Sequence, residues 1–143
     1  ECLALNMYFE ARNQNIAGLL AVTNVVYNRV KDKRYPNTVC EVVQQAPTRL
    51  SWKNNGIRYP IKNKCQFSWY CDGKSDKPTD IEAYNSILLL ANKIIKGKVK
   101  YLDITDGATH YHADYVLPSW ASTKTRTVEI NDHIFYRWET VDD

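Results

Sequence analysis

The sequence predicts an α+β domain, mainly helical, with a small β-hairpin region toward the C-terminus. Apolar residues recur at helical spacing through the first 31 residues and again from Asp80 to Lys96. After Val99 the character changes to short runs rich in β-branched and aromatic residues. Helices first and strands later is the order of an α+β fold. The 143 residues are the size of one domain, so 1–143 is read as a single unit.

The first helix is expected from Cys2 to Arg12, with Leu3, Met7, Tyr8 and Ala11 on its core face. Asn13, Gln14 and Asn15 interrupt it. A second helix runs from Ile16 to Lys31, where Ile16, Leu19, Leu20, Thr23, Val26, Tyr27 and Val30 form a broad apolar stripe. Thr38 with Glu41 reads as a capping box that opens a short helix through Val42 and Val43. Gln45 to Pro78 has no sustained period and holds Pro47, Gly56, Pro60, Gly73 and Pro78. An ordered loop region pinned by cysteines is expected there, and loops this long usually serve function. The clearest helix is Asp80 to Lys96, opened by a Thr79–Glu82 capping box and ended by Gly97. Ile81, Tyr84, Ile87, Leu88, Ala91, Ile94 and Ile95 mark its buried face. Strands are expected at Val99–Leu102, Ala108–His112 and Val128–Arg137, the last with a turn at Asn131-Asp132.

Composition narrows the function classes. The net charge of +3 comes from 19 basic and 16 acidic residues scattered along the chain, which argues against a nucleic-acid partner. A weakly basic protein does suit an anionic polymer such as a cell wall. Ten Tyr and four Trp can cover the apolar faces of sugar rings, although most aromatics serve the core. The longest apolar run, Ile87 to Ala91, is far short of the roughly 20 residues of a membrane span. The chain starts at Glu1 without an initiator Met, so the lack of a signal peptide says nothing of targeting. Cys2, Cys40, Cys65 and Cys71 show no C-x-x-C pair, which favours two disulfides, in any of three pairings, over a zinc site. Disulfides in turn point to an oxidising compartment.

Glu10 is the first candidate for chemistry. It sits at the C-terminal end of the first helix among Tyr8, Phe9 and Ala11. The negative helix end and partial desolvation both disfavour its ionised form, as a general acid for glycosidic cleavage requires. The structural alternative is an exposed Glu paired with Arg12 or Arg29. His110 and His112 alternate on one strand face and, with His133, could bind zinc. No H-E-x-x-H, G-x-S-x-G or phosphate-binding glycine loop is present.

Four blocks resemble the SleB/CwlJ-type cell-wall hydrolases: Cys2–Arg12, Ala21–Val30 with Tyr35–Val43, Cys65–Gly73, and Ala108–Ala121 leading to Asp132–Arg137. Their order and spacing carry the likeness across nearly the whole chain. The resemblance implies a lysozyme-like fold and cleavage of peptidoglycan between N-acetylmuramic acid and N-acetylglucosamine, with Glu10 as the acid. Where family members often have a second Glu, this chain has Gln14, so Gln14 takes no part in proton transfer. One strong carboxyl points to lytic transglycosylation, in which Glu10 also removes the proton from the muramic 6-hydroxyl. Asp72 and Asp114 keep simple hydrolysis open. Gln66, Phe67, Ser68 and Asp72 are expected to build a cleft wall. Thr109, Tyr111, Trp120 and Tyr136 are expected as sugar contacts, and Asn28 with Arg29 to orient Glu10. A monomer acting on bacterial peptidoglycan without metal or cofactor, in an extracellular, periplasmic or phage-borne setting, follows from this reading. Its rivals are a zinc amidase or peptidase built on the three histidines and a non-catalytic wall-binding module.

Overall fold

Helix α1 (Cys2–Ala11) turns into helix α2 (Ile16–Lys31) through the polar residues that mark a break in the sequence. This computed structural model describes residues 1–51, 56–98 and 102–139. Helices α3 (Val39–Val43) and α4 (Ile81–Ile95) complete the helical part, and strands β3 (His110–Ala113), β4 (Thr125–Ile130) and β5 (His133–Arg137) form a sheet. Leu3, Met7, Tyr8 and Ala11 of α1 are all buried, as their spacing predicts.

Helix α2 lies between two layers. Its Leu19, Val22 and Val26 join the cluster made with α1, α3 and α4, while Ala21 and Val25 pack on Ala108 and Phe135 below the sheet. That double contact buries more of its circumference than a single stripe predicts. Ile16, expected in the stripe, is 64% exposed because the first turn precedes both layers. Asn15 caps α2 by accepting from the Gly18 N–H at 3.1 Å, and its side-chain oxygen also accepts from Asn131 Nδ2 at 2.7 Å. A Cβ on Gly18 would lie 2.5 Å from Gln14 Cβ and 2.7 Å from Asn131 Nδ2, so only glycine lets the β4–β5 turn seat there.

Thr38 caps α3 as expected, accepting from the Glu41 N–H at 3.2 Å and donating its hydroxyl to the Glu41 carboxylate at 2.8 Å. The cap of α4 falls one residue later than expected, on Asp80, which accepts from the Ala83 N–H at 3.1 Å. The Tyr8 hydroxyl accepts from both the Thr79 and the Asp80 N–H, at 3.2 and 2.9 Å, and so pins this backbone before the helix starts. Ile87, Ala91 and Ile94 are buried, but Ile81 and Ile95 are 58% and 55% exposed because the two ends of α4 overhang the core.

The stretch read as irregular holds a short antiparallel pair, β1 (Thr48–Leu50) with β2 (Arg58–Pro60), in the register Arg49↔Tyr59. Its side chains are mostly exposed, so no apolar alternation marks it in the sequence. Disulfides join Cys2 to Cys40 and Cys65 to Cys71, one of the three pairings open to the sequence. The first ties α1 to α3, and the second closes a 3-10 turn at Ser68–Cys71.

The sheet is antiparallel in the order β3-β5-β4, so the last strand is the central one. The expected segment Val128–Arg137 forms the β4–β5 hairpin and turns where expected, at Asn131, whose φ of 53° is left-handed; its first strand starts earlier, at Thr125. Of the expected strand Val99–Leu102, residues 99–101 lie outside the described residues. Leu102 is a loop residue whose carbonyl accepts from Asn24 Nδ2 at 3.1 Å. Among the described residues, no helix is long and apolar enough to cross a membrane.

Candidate active site

Glu10 stands on the last turn of α1, partly buried, where two cavities meet. The larger, about 510 Å³, is bordered by Glu10, Ser68, Trp69, Asp72, Tyr115 and His133, among others. The smaller, about 150 Å³, includes Glu10, Arg29, Gln66, Phe67, Tyr111 and Trp120 in its wall. Two cavities that share one carboxyl in their walls can hold polymer units on both sides of one bond.

Three elements fix this geometry. Trp69 stacks on Phe9 of α1 with ring centroids 5.0 Å apart, and its Nε1–H donates to the buried Asn6 Oδ1 at 2.9 Å. These contacts anchor the 68–71 turn and bring Ser68 and Asp72 beside Glu10. Strand β3 supplies Tyr111, whose hydroxyl donates to Glu10 Oε1. The Tyr111 ring is held between His133 and Phe135 of β5, at centroid distances of 4.9 and 5.4 Å. Helix α2 supplies Arg29, which donates Nε–H to the Thr109 carbonyl at 2.7 Å.

Burial raises the Glu10 pKa above its ordinary value, and it outweighs the Tyr111 hydrogen bond and the Arg29 charge, which both pull the other way. The same burial, with Glu10 alongside, pushes the Tyr111 phenol well above its usual range, so it stays a donor. The carboxyl is thus held above its ordinary pKa with one oxygen already engaged.

The other expected site residues fall into two groups. Gln66, Phe67, Ser68, Asp72, Tyr111 and Trp120 line one or other cavity. Thr109 is buried behind the wall, its hydroxyl on His110 Nδ1 at 2.9 Å. Tyr136 is buried as well, its hydroxyl 2.9 Å from His112 Nε2. Asn28 donates to Asp103 Oδ2 at 3.0 Å and to the Ala108 carbonyl at 2.9 Å, so it ties α2 to the approach to β3 and lies outside both cavities. Asp114 also lies outside them. Tyr115, Asp132, Lys74 and Arg12 border the larger cavity without having been singled out in the sequence. An aromatic or charged side chain on a loop carries no periodicity to betray it.

The three histidines do not converge. His110 and His112 share the sheet face that carries Trp120, whereas His133, paired opposite Ala113, shares the face of Tyr111. His110 Nε2 meets the Tyr35 hydroxyl at 3.4 Å, and His112 Nδ1 meets the Ala113 carbonyl at 2.7 Å. Among the described residues, no group of three His, Cys, Asp or Glu side chains is placed to hold a metal ion.

By its family match the chain is a cell-wall-degrading enzyme. Residues 13–136 match the cell wall hydrolase family, and the chain belongs to it. The matched stretch begins just past Glu10 and does not include it. Two solved structures share the lysozyme-like fold. The catalytic domain of the Bacillus cereus SleB protein is 24% identical, with 94% of this chain and 86% of that one covered and a TM-score of 0.59. The catalytic domain of the germination-specific lytic transglycosylase SleB from Bacillus anthracis is also 24% identical, with 95% and 91% covered and a TM-score of 0.60. No curated protein matches the chain.

Proposed function

We propose that residues 1–143 act as one catalytic domain that cuts the glycan strands of bacterial peptidoglycan between N-acetylmuramic acid and N-acetylglucosamine. The observation that carries this is the Glu10 carboxyl, its pKa raised by burial, held by Tyr111 at the junction of two cavities. Glu10 gives its proton to the glycosidic oxygen as the bond to muramic C1 breaks and an oxocarbenium-like centre forms. The carboxylate left behind is steadied by the Tyr111 hydroxyl and the Arg29 charge. It then takes the proton from the muramic 6-hydroxyl while that oxygen closes on C1. A 1,6-anhydro ring results and Glu10 is restored, so a single carboxyl serves both steps. Asp72 in the larger cavity supports the second reading, in which a water attacks C1 and the product is a free reducing end.

Mass spectrometry of digested peptidoglycan separates these chemistries. Anhydro-muramic ends are expected, reducing muramic ends would mark a muramidase, and released stem peptides alone would overturn glycan cleavage. We infer an extracellular, periplasmic or phage-borne setting, which the two disulfides support, and a monomeric enzyme acting on the wall.

A further inference from the structure

The chain as a whole scatters its charges, but one segment departs from that. Between Glu41 and Asp72 stand five of the 19 basic residues, Arg49, Lys53, Arg58, Lys62 and Lys64, and none of the 16 acidic ones. This segment alone therefore exceeds the net +3 of the protein. It holds the β1–β2 hairpin, which lies between two of the blocks that carry the family likeness and belongs to neither. Arg49, Arg58, Lys62 and Lys64 are exposed, and none of the ion pairs among the described residues includes them. Leu50, Ile57 and Tyr59 are exposed beside them and join neither core cluster. Arg58 braces the hairpin by donating its Nε–H to Thr48 Oγ1 at 2.7 Å. The base of the hairpin is bonded into the cleft wall. The Ile61 N–H donates to the Pro47 carbonyl at 2.9 Å, the Gln66 N–H to the Gln45 carbonyl at 3.0 Å, and the Asn63 N–H to the Cys71 carbonyl at 2.9 Å. The Lys62 side chain runs over Gly73, where a Cβ would lie 2.8 Å from its Cε and 3.1 Å from its Nζ. Gly73 follows Asp72, which borders the larger cavity, so the cationic surface begins at the rim of that cavity.

We infer that the β1–β2 hairpin and its base form a docking surface, outside the cleft, for the acidic peptide stems of peptidoglycan, whose free carboxylates meet Arg49, Lys62 and Lys64. Position supports this occupant, because a strand that leaves the larger cavity past Asp72 comes first to Lys62. Charge supports it too. The sugar rings themselves are neutral, whereas a peptide stem ends in free carboxylates that suit a surface of one sign. The make-up of the hairpin faces decides against a lipid surface. Directly opposite residues of an antiparallel pair share a face. Leu50 therefore stands with Arg58 on one face, and Arg49 with Tyr59 on the other. Each face mixes a cation with an apolar side chain, whereas an element that lies in a membrane interface separates the two. A peptide of small apolar residues and carboxylates matches the mixture. This inference rests on the peptidoglycan reading, and its test is separable from that of catalysis.

The experiment is calorimetric binding to the Glu10→Gln protein, which on the proposed mechanism leaves the strands intact. Three probes are compared: uncrosslinked glycan strands that carry their peptide stems, the same strands with the stem carboxyls amidated, and phosphatidylcholine vesicles containing phosphatidylglycerol. The free-carboxyl strands are expected to bind about tenfold more tightly than the amidated ones at low salt. That advantage should fade by about 0.5 M salt, where exposed charges are screened. In the same background, Arg49→Gln with Lys64→Gln should remove the advantage and leave the affinity for amidated strands unchanged, whereas a folding fault would weaken both. Arg49→Lys with Lys64→Arg, which keeps the charge, should keep the advantage. Equal binding of free and amidated strands overturns the docking surface, as does an advantage that survives the Gln substitutions. Substitutions that weaken binding to the vesicles alone would assign the hairpin to lipid and overturn it as well. Digestion of cell walls by the unmutated enzyme is scored separately. Absent cleavage with an intact carboxyl preference removes the catalytic reading alone, and cleavage with no preference removes the docking surface alone.

Discussion

At Glu10, burial serves the proposed chemistry and opposes stability. The carboxyl's raised pKa means that the folded protein holds a proton the unfolded chain has already released. The residue's contribution is therefore most favourable below its ordinary value of 4.5 and is lost as the pH rises through the folded value. Glu10→Gln should remove that cost. We expect the variant to lose lysis by about a thousandfold, keep its binding to cell walls, and melt a few degrees higher than the parent near neutral pH. The gain should vanish below pH 4.5, and scanning calorimetry at two pH values checks it. Lysis itself should fall with rising pH as the acid deprotonates. Tyr111→Phe removes a hydrogen bond that lowers the Glu10 pKa, so the alkaline limb of the pH–rate profile should move upward. Activity at the optimum should drop by about tenfold as the carboxyl loses its fixed orientation. An unmoved limb would show that the phenol does not act on Glu10.

Between elements, the two disulfides have separate duties. Cys2–Cys40 spans 38 residues and joins helices that share the main core, so its loss should cost about 4 kcal/mol and lower the melting temperature by roughly 10 °C. Cys65–Cys71 spans only 6 residues, and the same reasoning gives about 2 kcal/mol. Its segment carries Gln66, Phe67 and Ser68, with Asp72 next to it, so replacing both cysteines by serine should impair wall clearing more than stability. Melting curves and turbidity assays on the two double variants test this division. If the second pair matters only for melting, the cleft wall does not depend on it.

At the scale of the whole molecule, α2 is the shared partition between helices and sheet. Asn24, buried on α2, receives the Ile104 N–H at 3.0 Å and donates to the Leu102 carbonyl at 3.1 Å. Asn24→Ala would orphan both backbone groups and should cost about 1–3 kcal/mol in urea unfolding, with little change in lysis. The sequence made the helices legible because each buries a face with a 3.6-residue period. It also showed the β4–β5 turn, because Asn131-Asp132 interrupts an apolar run. Less was legible where burial leaves no period. The exposed β1–β2 pair carries no apolar face, and the α4 cap is moved by a phenol more than 70 residues away in the chain. Of the site, Glu10 and the 66–72 wall were readable from residue chemistry and family likeness. The engagement of Glu10 by Tyr111, the burial of Arg29 and the position of Tyr115 depend on which loops meet, and no local pattern encodes that.

The central place of β5 makes a single strand answerable for both edges of the sheet. Within it β3 is hydrogen-bonded to β5 alone and β4 to β5 alone. A change that loosens the far edge is therefore felt, through β5, in the grip of the Tyr111 hydroxyl on Glu10.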